Sequence, residues 1–152
     1  MKKLEMGETE YKSLARTLHK VDFFAPFTVA QLDALLPHIR LYSYESGERI
    51  FKRGDPGDAF YIIYEGRILV SIKRSFFSFT KKLAVLSPGD FFGEMALLDR
   101  SPRSAAVKTE EGTKLFVLLA DDFEAIVKKN PAFGEEVRNV ARRRKFENPA
   151  SF

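Results

Sequence analysis

The feature that most constrains this chain is a change of hydrophobic period. From about residue 39 to residue 119 apolar residues recur at every second position, in short runs rich in β-branched and aromatic side chains. A period of two sends alternate side chains to opposite faces of a strand. The runs are punctuated by Gly54-Asp55-Pro56-Gly57, Glu65-Gly66, Ser87-Pro88-Gly89-Asp90 and Glu111-Gly112. Glycine supplies positive φ and proline presets its own, so these are turn signals with a mechanism. Many short strands with turns at roughly 8–12-residue spacing predict a sandwich, barrel or jelly roll.

Helical spacing brackets this region. Tyr11, Leu14, Leu18 and Val21 lie three and four apart, and the first ~37 residues read as helical. Thr28 is a candidate N-cap for a second helix that stops near Pro37, with the hydrophobic connector "FFAPF" between the two. After Ala120 the period is helical again. Asp121 or Asp122 is expected to cap "DDFEAIVKKN", Asn130-Pro131 to break it, and Pro131 to open a last helix striped by Phe133, Val137, Val140 and Ala141. The architecture expected is therefore α+β, mainly β. A chain of 152 residues suits one domain.

Several function classes are excluded or disfavoured. With no cysteine the chain has no disulfide and no thiolate metal site, and it suits a reducing compartment. The lysines of "MKKLEM" are not followed by an apolar signal region, and no window approaches ~18 uninterrupted apolar residues. A cytoplasmic protein is expected. Residues 128–152 carry seven basic and three acidic side chains, a surplus equal to the net charge of +4 for the whole chain. Residues 1–127 are balanced, which argues against a body that binds polyanions generally.

One segment breaks the strand pattern. Within "FFGEMALLDRSPRSAAV", residues 91–107, "GEMALLDR" reads as a single short helix inserted between two strands, and Glu94 and Arg103 stand among residues that ought to be core. A helix entered from a glycine turn presents unpaired N–H groups and a positive dipole end, which suit an anion. Gly93 lets the backbone approach closely. Arg103, nine residues after Glu94 and beyond a "DRSP" turn, can fold back over the same helix start, and its planar fork suits a phosphate. Glu94 accepts only, so it suits a sugar hydroxyl. Glu94 and Arg103 paired with each other is the competing reading, and Ser104 also fits an ordinary strand residue.

"FGEMALLDRSPRSAAV" resembles the phosphate-binding cassette of the cyclic nucleotide-binding domain. "GERIFKRGDPGDAFYIIYEGRILV" (47–70) and "LSPGDFFGE" (86–94) are similar to that family's glycine-punctuated β-roll, and the likeness runs from about residue 22 to 147. The resemblance implies an antiparallel, eight-stranded, jelly-roll-like β-roll over about 39–119, with N-terminal helices, a short cassette helix, and hinge and lid helices over about 121–147. An N-terminal helix would occupy 1–21, the binding domain 22–147 and a tail 148–152. It implies that Arg103, with backbone N–H groups of Ala96 and Ser104, binds the cyclic phosphate. Glu94 and the Gly93 backbone would hold the ribose 2′-hydroxyl. Leu97 and Phe123 would form the contact between cassette and hinge, and Val137, Val140, Ala141 and Arg144 are candidates to cap the base.

The implied ligand is cAMP, with cGMP as the alternative because Ser104 offers a hydroxyl directly after Arg103. No catalytic residue, metal or cofactor is expected. Too few residues follow Lys145 for a DNA-reading module, so a protein partner or an effector outside this sequence is expected to receive the signal. No membrane partner is expected. Two competing readings remain. One is a docking or dimerisation β-roll without ligand, and the other a cupin-type enzyme, for which His19 and His38 are too few metal ligands. Nucleic-acid binding through "ARRRK" would lack interleaved aromatic residues.

Overall fold

The computed structural model describes residues 1–73 and 80–147, and the side chains in those ranges except at 73, 80 and 144–147. Two antiparallel sheets form the centre. The strands are β1 (Lys2–Leu4), β2 (Arg40–Tyr44), β3 (Arg49–Phe51), β4 (Ala59–Glu65), β5 (Ile68–Lys73), β6 (Thr80–Leu86), β7 (Phe91–Phe92), β8 (Ala106–Thr109) and β9 (Thr113–Leu119). One sheet runs β1-β2-β9-β4-β7 and the other β3-β8-β5-β6. Helices α1 (Glu8–Leu18), α2 (Val29–Leu35), α4 (Ala120–Lys129) and α5 (Pro131–Glu147) pack on the outer face of the five-stranded sheet, and α3 (Met95–Leu98) is the inserted helix expected in the cassette. Among the described residues no helix is long and apolar enough to cross a membrane.

Alternation explains the two cores. Phe60 and Ile62 of β4, with Phe116 and Leu118 of β9, face the helices and meet Leu14, Phe23, Phe24, Leu35, Phe123 and Phe133. Their neighbours Tyr61, Ile63, Leu115 and Val117 face the second sheet and meet Phe51, Ile68, Val70, Phe92 and Val107. Both faces of β4 and β9 are covered, so these strands read as nearly continuous apolar runs, as strands buried on both faces do. An aromatic group locks the helical layer down. Phe60 stacks on Phe23 at 6.2 Å between ring centres and meets Phe24 edge-on at 5.4 Å.

Two expectations need correction. Among the described residues the region 39–119 holds eight strands, β2 to β9, but a ninth, β1, lies inside the segment 1–21 read as one helix, and pairs antiparallel with β2, Lys2 opposite Ser43 and Leu4 opposite Leu41. Six residues before Gly7 are too few to define a period, and the open edge of β2 offers backbone partners, so tertiary context overrides local pattern. Helix α1 begins only at Glu8, where Glu10 accepts the Gly7 N–H at 3.0 Å. The second correction concerns α4. Leu119, not Asp121 or Asp122, is its N-cap. Its first N–H, from Ala120, donates to the Asp58 carbonyl at 2.9 Å, so a side-chain cap is not needed there. Both aspartates lie in the first turn, where they complement the helix dipole. Thr28 caps α2 as expected, in a reciprocal box with Gln31.

Truncating Phe60, 1% exposed, to alanine should lower stability by about 3–5 kcal/mol in urea denaturation. A loss under about 1 kcal/mol would mean that the aromatic cluster does not hold the helices to the sheet.

Candidate functional site

The cassette begins where β7 ends. Gly93 turns the chain with φ +79°, a left-handed conformation that a side chain resists, and passes it into α3. The turn is tight because a Cβ here would lie 2.8 Å from Arg103 Nη1 and 3.0 Å from the Ala59 carbonyl oxygen. Gly93 and Glu94 carbonyls accept the N–H groups of Ala96 and Leu97, at 3.2 and 3.0 Å. The Ala96 N–H, expected to face an anion, thus has an internal partner. After α3, Arg100 takes φ 57° and the chain reverses towards Arg103.

The backbone of Arg103 is fixed by the turn after β3. Its N–H donates to the Asp55 carbonyl and its carbonyl accepts the Gly54 N–H, both at 2.8 Å. The side chain, 2% exposed, runs between the sheets. Nη2 donates to the Ala59 carbonyl at 2.6 Å and Nη1 to the Gly93 carbonyl at 3.3 Å. The guanidinium lies over the Phe51 ring, 4.2 Å from its centre, and 5.9 Å from that of Tyr61. Its ion pair is with Asp58, 3.6 Å from Nη2, whose carboxylate is largely exposed. Arg103 Nε is buried with no hydrogen-bond partner among the described residues. Leaving such a donor unmet costs about 1–3 kcal/mol.

Burial works against the charge on Arg103 and lowers its pKa, while Tyr61, Asp58 and Glu94 act in the opposite sense. Burial also pushes the Tyr61 phenol up to about 12, against the influence of the Arg103 charge. Glu94 is 5% exposed, yet its carboxylate takes no hydrogen bond or ion pair among the described residues. The reading in which Glu94 and Arg103 satisfy each other is therefore not the arrangement adopted. Arg103 Nε is thus a buried donor left unmet by protein, and Glu94, at the start of α3, is close enough to act on its charge.

The other expected residues divide into two groups. Ser104 is exposed beside Arg103. Leu97, Phe123, Val137 and Val140 share the helix-side core, where Phe123 meets Phe133 edge-on at 5.8 Å. A cavity of about 180 Å³ opens between α3, α4 and α5, lined by Leu97, Phe123 and Val137 among others. Ala141 is half-buried, and the Arg144 side chain lies outside the described residues. The fold brings Gly93, Glu94, Ala96, Arg103 and Ser104 together, but packs Val137 and Val140 among helices while Arg103 packs between sheets. Sequence reasoning missed Asp58, Phe51 and Tyr61, which surround the guanidinium. It also missed Arg100, whose Nη2 donates to Asp121 at 2.6 Å and Glu124 at 2.8 Å, tying the cassette to α4. Among the described residues no cluster of His, Cys, Asp or Glu suits a metal ion.

Comparison with known proteins places this geometry. A family model described as a cyclic nucleotide-binding domain matches residues 41–130. The chain is 41% identical over 109 residues to a cGMP-dependent protein kinase of Eimeria tenella, covering 72% of this chain and 10% of the kinase. It is 32% identical over 114 residues to the cyclic AMP receptor protein of Thermus thermophilus, covering 75% and 52%. The chain thus spans about a tenth of the first relative and half of the second. Among solved structures, the regulatory domain of Toxoplasma gondii PKA with cAMP superposes with a TM-score of 0.74 at 30% identity, covering 82% of this chain and 47% of that one. The N-terminal domain of a transcriptional regulator from Streptomyces coelicolor gives 0.74 at 28% identity, covering 90% and 97%.

Substituting Gly93 by alanine should cost about 1–3 kcal/mol, from the left-handed backbone and the approach of Arg103 and Ala59. Urea denaturation measures it. A cost under about 0.5 kcal/mol would show that the turn is looser than described.

Proposed function

The chain belongs to the cyclic nucleotide-binding domain family, and from that premise we propose that it is a non-catalytic, cytoplasmic sensor of cAMP, with cGMP as the competing ligand. The observation that carries the proposal is the Arg103 side chain, whose buried Nε donor has no partner among the described residues. Glu94, at the start of the cassette helix, carries a carboxylate with no hydrogen bond or ion pair among the described residues. A cyclic phosphate supplies acceptors for the first and a ribose 2′-hydroxyl supplies a donor for the second. In this reading Arg103 binds the exocyclic oxygens, helped by backbone N–H groups of Ala96 and Ser104. Glu94 and the Gly93 backbone hold the ribose. The Ala96 N–H must turn from the Gly93 carbonyl towards the phosphate, and the Asp58 carboxylate, exposed and 3.6 Å from Arg103, must yield its place as counterion.

The output follows from differential affinity, since a ligand shifts an equilibrium only by binding one state better. Drawing α3 towards the phosphate moves Leu97, which shares a core with Phe123 of α4. The Arg100 bridge to Asp121 and Glu124 transmits the same displacement. Helix α5 follows α4, and Val137, Val140, Ala141 or Arg144 comes to cover the base. A protein partner, or an effector joined to the domain, reads the new position of α5. The names of the relatives, a kinase and a receptor protein, support an output of this kind.

Calorimetric titration of the refolded, nucleotide-free protein tests the site. A buried charge-assisted contact is worth roughly 2–4 kcal/mol, so Arg103→Ala should weaken cAMP by about 30- to 1,000-fold. A change of less than about threefold would remove Arg103 from the site. Amide hydrogen exchange tests the output. Saturating cAMP should change protection in α4 and α5, and unchanged exchange in both helices would contradict the switch.

A further inference from the structure

We propose that the outer face of the four-stranded sheet holds a second anion site, a groove for a compact phosphate-bearing polyanion, separate from the Arg103 cassette. The balanced charge of residues 1–127 conceals a segregation. Strands β3, β5, β6 and β8 read RIF, ILVSIK, TKKLAVL and AVKT, with five basic residues and no acidic one. Ile68, Val70 and Val107 point inward and are fully buried. Leu69 and Ser71 of β5 therefore face outward, opposite Lys108 and Ala106 of β8.

On that face Arg49 stands directly across from Lys108. Like charges opposite each other on paired strands are unfavourable. The turn after β3 adds Lys52 and Arg53, and the four cations line one cavity of about 490 Å³. Its floor is Leu69, 8% exposed, with Ala106 and the hydroxyl-bearing Ser71 beside it, and among the described residues no acidic one lines it. None of the four cations makes a side-chain hydrogen bond or ion pair among the described residues. Elsewhere on the surface such partners are present, as for Arg67 with Glu110, Arg100 with Asp121, Lys114 with Glu65 and Lys128 with Glu124.

Four unpaired cations around one cavity call for a ligand of several negative charges in a small volume. Two arginine forks and two ammonium groups match phosphate oxygens, the forks by paired hydrogen bonds and the ammonium groups as point charges. The cavity volume lies in the range of small-ligand sites, about 300–1,000 Å³. The site is not an extension of the cassette. A register shift between Arg49 and Phe51 turns Phe51 inward, onto Arg103, while Arg49 stays outward. The phosphates have two possible sources with the same chemistry, a free polyphosphate chain and a phosphorylated lipid headgroup.

Inorganic tripolyphosphate titrated into the full chain by calorimetry is the test, alongside the double variant Arg49→Gln/Arg53→Gln and Arg103→Ala. The proposal expects saturable one-to-one binding below about 1 mM that weakens with salt. It expects a loss of about tenfold or more in the double variant, whose thermal melting and cyclic nucleotide titration stay as in the parent, and retention within about twofold in Arg103→Ala. Because Arg103→Ala removes the cassette contact, this outcome stands or falls apart from the cyclic nucleotide reading. No saturable binding, binding lost in Arg103→Ala, or equal affinity for hexaglutamate would each overturn the proposal. Co-sedimentation with phosphatidylinositol 4,5-bisphosphate vesicles separates the sources. Tripolyphosphate binding without vesicle binding supports a free polyphosphate, and binding of both, with both lost in the double variant, supports the headgroup.

Discussion

A cation buried between two sheets needs acceptors on every side, and Arg103 organises much of this domain by that need. Its guanidinium draws on the carbonyls of Ala59 in β4 and Gly93 in the cassette, and on the face of Phe51 in β3. Its backbone is paired with Gly54 and Asp55. Three stretches of chain thus converge on one side chain, and a fourth holds its backbone. Desolvation makes the charge costly at 4% exposure, and the protein answers it only in part, with Asp58 at the surface and Nε left over. In the proposed reading the donor left over is the one a ligand phosphate takes.

The connection from this point to the helices is short. Asp58 faces Arg103 with its carboxylate and accepts the first N–H of α4 with its carbonyl. Gly57, next to it, has no room for a side chain, since a Cβ would stand 2.4 Å from the Ser101 carbonyl oxygen. The turn 54–58, the cassette and the start of α4 are therefore in contact, and displacement of one meets the others. Leu97, Phe123 and Phe133 carry the contact into α5 through the helix-side core. Packed interiors of this kind shift between discrete arrangements more readily than they deform.

Much of this was legible in the residues. Glycine-marked turns and the period of two located the strands from β2 to β9, and the break in period at 91–107 located the cassette with Glu94 and Arg103. What was not legible has physical reasons. Strand β1 is too short to show a period and forms because β2 has an open edge. The cap of α4 is a backbone carbonyl, which no side-chain pattern announces. Asp58 sits in "GDPGDA" among residues that turns favour anyway, and Phe51 and Tyr61 look like any aromatic strand residues. Only the folded register shows that they surround a cation. The basic outer face of the second sheet was hidden in the same way, because its cations come from β3, the turn after it and β8 and cancel on average against acids elsewhere.

The central claim is that Arg103 Nε–H is a buried donor held for a ligand phosphate. The most direct measurement follows that group alone, by nitrogen-15 NMR of the arginine Nε–H resonances during a cAMP titration, with Arg103→Lys used to assign the signal. The account predicts that the Arg103 Nε–H proton moves downfield and exchanges more slowly with water as the nucleotide saturates, as a donor does on gaining a charged acceptor. A signal that keeps its position and exchange rate while cAMP binds would contradict it, and would mean that the phosphate is held elsewhere.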